Sequence, residues 1–158
     1  MRIPAFLLLL TLLWPLAGLQ GEDKVKPMTV SKLTPVLLAP EVEPCVRFWT
    51  DRLGFQTTIS VPDGDKLAFV TLQKGSVEIM YQSFASADKD ASFHAQGYSK
   101  GPTFLYVEVD SLAQTMAAMK GVEVVMPERT TFYGAREIGY RDPAGHIITF
   151  AEFASPQP

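Results

Sequence analysis

Hydrophobic and polar residues alternate along this chain with two periods that take turns. LTPVLL (33–38) alternates every second residue, as a strand does, with Leu33, Pro35 and Leu37 on one side and Thr34, Val36 and Leu38 on the other. After APEVEP, the apolar positions Val42, Cys45, Val46 and Trp49 recur at helical intervals. Pro44 suits the first turn of that helix, where a missing N–H costs no hydrogen bond, and Gly54 stops it. Period two then returns in FQTTISV (55–61), LAFVTLQ (67–73) and SVEIMYQ (76–82), with Asp63-Gly64 and Lys74-Gly75 as turn signals.

The same order recurs about 70 residues on. TFLYVEV (103–109) reads as a strand, Asp110 or Ser111 caps a helix striped by Leu112, Met116 and Met119, and Gly121 ends it. Strands follow in VEVVMP (122–127), AREIGYR (135–141) and HIITFAE (146–152). Each half, 33–82 and 103–153, is therefore strand–helix–strand–strand–strand. The joining stretch 83–101, rich in small and polar residues, reads as a mobile loop beside a site. One helix covers only one face of a mostly antiparallel sheet. The expected architecture is thus α+β: paired βαβββ modules forming a curved, mostly antiparallel sheet with helices outside and a hollow inside.

Composition changes this picture mainly at the ends. The 158 residues, 47% hydrophobic and 20% charged, suit one globular domain. Residues 1–21 stand apart, with Arg2, the apolar run Ile3 to Leu13 and then small residues in WPLAGLQG. That is the layout of a secretory signal peptide, too short for a stable membrane span of ~20 residues. It predicts export to a periplasmic or extracellular location. Residues 22–32 read as a polar lead-in and 154–158 as a tail. The net charge is −3, with no basic run or aromatic–basic interleaving, so nucleic acid is excluded as a partner class. Cys45 is the sole cysteine and lies on the buried helix stripe, so it reads as an inert thiol without a disulfide. Trp49 and Phe48 read as packing residues, and His94 as a surface histidine of the long loop.

LTPVLLAPEVEPCVRFWTDRLGFQ (33–56) together with YGAREIGYRDPAGHIITFAE (133–152) resembles the vicinal oxygen chelate superfamily. That group comprises glyoxalases, extradiol dioxygenases, fosfomycin-resistance enzymes and bleomycin-resistance proteins, and the last branch is the most similar. The resemblance implies the paired βαβββ fold, a homodimer, and a cavity on the inner sheet surface. In chelating members, inner-strand side chains hold one divalent ion, and those places fall here on Thr34, Glu78, Phe104 and Thr149. Only Glu78 is a usual ligand, and a divalent ion needs about three good protein donors, so no metal or other cofactor is expected.

The turn-and-strand run RDPAGHIITFAE (141–152) carries His146 and Glu152, which also suggest a metal. Six residues apart on a strand, they stand roughly 20 Å from each other, too far for one ion. His146 then reads as a turn-adjacent surface residue and Glu152 as solvated. Arg136, with Tyr133 and Gly134, reads as shaping the turn before the seventh strand, with an anion-binding role as the alternative.

Alternation nominates the lining of the hollow. Uniformly apolar strand sets belong beneath a helix, which leaves Thr34, Val36, Glu78, Met80, Phe104, Tyr106 and Thr149 for the pocket. A desolvated Glu78 either has a raised pKa or finds a cation or donor. It serves either to hold an amine or guanidinium of a ligand or as a relic bonded to Gln82, Tyr106 or water. No Ser-His-Asp constellation, phosphate-cradling loop or paired cysteines supply a competing chemistry, and no catalytic residue is assigned. The expectation is a metal-free binding protein that sequesters a cationic or amphipathic small molecule. The alternative is a metal-dependent lyase, isomerase or dioxygenase-like enzyme of the same superfamily.

Overall fold

The computed structural model describes residues 28–90 and 101–154, and Lys32–Pro158 forms one compact unit. The first half runs β1 (Val36–Ala39), α1 (Glu43–Leu53), β2 (Gln56–Asp63), β3 (Lys66–Lys74) and β4 (Val77–Ser83). A short helix, α2 (Phe84–Asp90), follows. The second half runs β5 (Phe104–Glu108), α3 (Leu112–Ala118), β6 (Val124–Thr130), β7 (Ala135–Arg141) and β8 (Ile147–Phe153). Helix α2 corrects the reading of 83–101 as a mobile loop over its first part, Phe84–Asp90, and residues 91–100 lie outside the described residues. Ser83 Oγ accepts the Ser86 N–H at 3.1 Å, and the alanines that follow favour the helix. The proposed signal peptide and His94 lie outside the described residues. Among the described residues no helix is long and apolar enough to cross a membrane.

Two mixed four-stranded sheets repeat one order, β1-β4-β3-β2 and β5-β8-β7-β6. In each sheet one outer pair, β1/β4 or β5/β8, is parallel, and the remaining pairs are antiparallel. A parallel return requires a crossover, which α1 and α3 provide. Pro127 lies in β6, an edge strand, where its missing donor removes no ladder bond that the sheet requires.

Helix α1 has Pro in its first turn and ends at Gly54, whose φ of 70° allows its N–H to reach the Thr50 carbonyl. Its Cys45, Phe48 and Trp49 are buried. Beneath them lie Leu37, Val70, Leu72, Ile79 and Tyr81, joined in one core with Leu112, Met119, Ile148 and Phe150 of the second half. Burial pushes the Cys45 thiol up to about 12, with the Asp142 charge adding to the effect, so the thiol stays protonated.

A hydrogen-bonded run links the halves through this core. Trp49 Nε1 donates to the Tyr81 hydroxyl at 2.9 Å, which donates to Asp142 Oδ2 at 2.6 Å. Asp142 Oδ1 accepts the backbone N–H groups of Ala144 and His146. His146 is only 3% exposed, which corrects its reading as a surface residue. Its Nδ1 accepts the Thr103 N–H at 2.9 Å, so Nε2 carries the hydrogen and donates to the Leu38 carbonyl at 2.9 Å. Both ring nitrogens serve backbone groups, which is why burial is tolerated. Glu152 is likewise not simply solvated: its Oε2 accepts the Leu112 N–H at 2.6 Å, beside Ser111 Oγ accepting Gln114 N–H. Both side chains satisfy open donors in the first turn of α3.

Candidate functional site

Each sheet buries one face beneath its helix and leaves the other open. In β4 the buried residues are Ile79, Tyr81 and Ser83, so Glu78, Met80 and Gln82 belong to the open face. In β7 the core takes Ile138 and Tyr140, leaving Glu137 and Gly139 on the face away from the helix, where both are nonetheless buried. A carboxylate therefore stands on the face away from the helix in each half.

Glu78 is held from one side only. Lys32 Nζ lies 2.7 Å from Oε1, and the Thr34 hydroxyl donates to the same oxygen at 3.0 Å. Among the described residues Oε2 accepts no hydrogen bond. The side chain is 13% exposed. The Lys32 ammonium holds the carboxyl below the usual carboxylate range, against the upward push of burial and with help from Thr34. Of the two outcomes expected for this carboxylate, it found a cation. Its partners are Lys32 and Thr34, not Gln82 or Tyr106.

Glu78 also lines a cleft of about 240 Å³ between β4 and β5, walled by Leu33, Pro35, Phe55, Tyr106 and Val107 among others. A neighbouring cleft of about 330 Å³ shares Trp49, Phe55, Val77 and Val107 with it. Of the seven residues nominated from sequence, Glu78 and Tyr106 line the first cleft. Thr34 reaches it through its bond to Glu78. Val36 pairs with Met80 and Tyr106 with Thr149 in register, so those residues sit beside one another on their own sheets. Val36 is exposed, Met80 and Thr149 are half-buried, and Phe104 is 72% exposed.

Sequence reasoning missed the second carboxylate. Glu137 is 1% exposed and fully engaged. Its Oε1 accepts the hydroxyls of Tyr106 (3.0 Å) and Tyr133, and its Oε2 accepts Arg129 Nε and Nη2 at 3.1 and 2.9 Å. Burial pushes this carboxyl up, but Tyr133, Arg129 and Tyr106 together outweigh it and hold the group below its ordinary value. Burial and the Glu137 charge raise the Tyr106 phenol, so it remains a donor. Arg136, one residue earlier, points to Glu128 and Glu152 and is committed to ion pairs.

These residues do not fit a divalent ion. Among the described residues no group of three or more His, Cys, Asp or Glu side chains comes together. The four places where chelating relatives present ligands hold two hydroxyls, a phenyl ring and Glu78, and one Glu78 oxygen is already bonded twice.

Residues 33–150 match the Glyoxalase/Bleomycin resistance protein/Dioxygenase superfamily, and the chain belongs to that family. Among solved structures, TioX from Micromonospora sp. ML1 is similar, with a TM-score of 0.63 and 18% identity over 78% of this chain and 98% of its own. Lactoylglutathione lyase from Agrobacterium tumefaciens aligns with a TM-score of 0.63 and 17% identity over 78% of this chain and 95% of its own. The bleomycin resistance determinant encoded on transposon Tn5 aligns with a TM-score of 0.58 and 16% identity, covering 80% of this chain and all of that one. At these identities the likeness is one of fold. No curated protein matches the sequence.

Proposed function

We propose that this chain is an exported, metal-free protein that binds and sequesters a small amphipathic molecule bearing a cationic or N–H donor group. One observation carries the reading: Lys32 holds the Glu78 carboxyl low, and among the described residues one of its oxygens accepts no bond while the residue lines a mostly apolar cleft. A carboxylate oxygen in that position favours a ligand donor, since a charge-assisted hydrogen bond exceeds a neutral one. The apolar walls favour a hydrophobic body, and Tyr106, pinned by Glu137, offers a ring edge for it.

We read the functional unit as a homodimer whose pocket is completed between subunits. The large apolar side chains left exposed support this, chiefly Val36, Phe104, Phe132 and Tyr133. Export rests on the apolar leader described above and is tested by the N-terminus of the protein recovered from a cell envelope or culture medium.

The binding experiment uses benzyltrimethylammonium and phenethylamine as probes, titrated into metal-free protein by calorimetry. The expected result is saturable binding that weakens about tenfold in Glu78→Gln, the loss of one charge-assisted bond. Equal affinity of wild type and variant for both probes, or a stoichiometric divalent ion retained through purification, overturns the reading. The latter outcome favours a metal-dependent enzyme of the same superfamily.

A further inference from the structure

A cleft of about 420 Å³ opens where one face of α1 meets the end of β7 and the segment after α3. It shares no lining residue with either cleft described above. Pro44, Arg47, Phe48, Asp51 and Arg52 follow helical spacing along α1, on a different face from Trp49 and Leu53. Val122, Arg141, Asp142 and Pro143 complete it. Three guanidiniums therefore border a single concavity.

Two of them are held in place by the fold. Arg52 Nη1 donates to the carbonyls of Ala118 and Lys120 at 2.8 and 3.2 Å, closing the C-terminal end of α3. Arg141 Nε bonds Glu123 Oε2 at 3.0 Å, and its Nη1 reaches the Gly145 carbonyl at 3.4 Å. Each retains further N–H donors, because a guanidinium carries five. Arg47 makes no hydrogen bond or ion pair with any described residue, and its charge acts within the fold on the Glu41 carboxyl, which it helps to lower.

The acidic residues of the cleft offset this set only in part: Asp51 and Asp142 stand against the three guanidiniums, which leaves an excess of one positive charge among the lining residues, and Glu123 pairs with Arg141 from outside the lining. Asp142 is buried, and its oxygens are taken by the Tyr81 hydroxyl and two backbone N–H groups. Asp51 accepts from Thr50, and the chain as a whole carries −3. What would draw an anion here is the local placement of guanidinium donors, with Arg47 unpaired among the described residues, and not bulk charge. Fixed arginines lower the ordering cost of binding an oxyanion, and their planar forks match a carboxylate or phosphate.

We propose that this cleft is a second ligand site, which takes a small organic anion. Its carboxylate or phosphate lies among Arg47, Arg52 and Arg141, and its apolar part rests on Phe48, Val122 and Pro143. The volume is that of a small-molecule site, and the position leaves the Glu78 cleft free.

The test titrates full-length protein with phenyl phosphate and benzoate, with benzyl alcohol as the neutral control. The expected result is saturable binding of at least one anion and no competition from benzyl alcohol. Arg47→Glu should lower anion affinity roughly tenfold or more, because it replaces a charge-assisted donor with a like charge. Arg47 is exposed, so the variant is expected to fold, and retained binding of benzyltrimethylammonium or an unchanged circular dichroism spectrum verifies that. Failure of wild type to bind either anion at millimolar concentration, equal affinity in Arg47→Glu, or competition by benzyl alcohol overturns the proposal. None of these outcomes bears on the Glu78 cleft, whose cationic probes are read separately.

Discussion

Both halves carry a carboxylate on the sheet face away from the helix, and the two are bound in opposite ways. Glu137 has both oxygens filled, by two phenols and a bidentate arginine. Among the described residues, Glu78 has both of its bonds on one oxygen. The two do not occupy equivalent places in the repeat, since Glu78 is on the fourth strand of its half and Glu137 on the third of its own. A saturated buried carboxylate organises its neighbours, whereas a half-saturated one at a cleft retains capacity for a ligand. The repeated backbone thus carries two divergent polar arrangements, one saturated within the fold and one with a carboxylate oxygen left over among the described residues.

The largest expected separation is in stability. Glu137→Ala leaves two phenols and a guanidinium without their acceptor and should cost about 3 kcal/mol in urea unfolding. Glu78→Ala should leave the unfolding midpoint nearly unchanged, and a comparable loss in both would erase the distinction. The Glu137 contribution also has a pH signature. Its folded pKa lies below the usual 4.5, so the stabilisation is complete above that value and fades as pH falls through the lowered one. Unfolding of wild type and Glu137→Gln across an acid series should therefore converge at the acidic end.

The second separation is in binding: an amine probe should lose about tenfold in Glu78→Gln and nothing in Glu137→Gln, as read by calorimetry. A smaller effect sharpens the same contrast. Tyr106→Phe removes one of four bonds to Glu137 and should cost about 1 kcal/mol of stability while leaving the apolar wall of the cleft in place. Least of all, Lys32→Met should change amine affinity only a few-fold, and upward, because a half-exposed ion pair competes weakly for Glu78.

Period and punctuation made most of the fold legible in the sequence. AREIGYR (135–141) coincides with β7, and the repeat of strand, helix and three strands appears as one sheet order used twice. Pro35 illustrates where the edges blurred: alternation begins at Leu33, but the strand begins at Val36. The misses are tertiary. Nothing local says that His146 will find the Leu38 carbonyl 108 residues away, or that Glu152 will reach α3. Glu137 was more accessible to reasoning. Alternation along REIGYR puts Glu137 and Gly139 opposite Ile138 and Tyr140, the same argument that singled out Glu78. What alternation does not supply is how many partners a carboxylate will gather, because those arrive from other strands. The arginine-lined cleft was invisible for a similar reason: its three cations lie on α1 and β7, far apart in the chain.

The run from Trp49 through Tyr81, Asp142 and His146 to Leu38 has a consequence for how the two repeated modules unfold. Each module contributes donors whose acceptors belong to the other, so neither copy can melt alone without stranding polar atoms in the dry seam between them. The two modules share one strand order, but this internal stitching makes them one cooperative object, and a severed single module should be a molten fragment instead of a miniature of the whole.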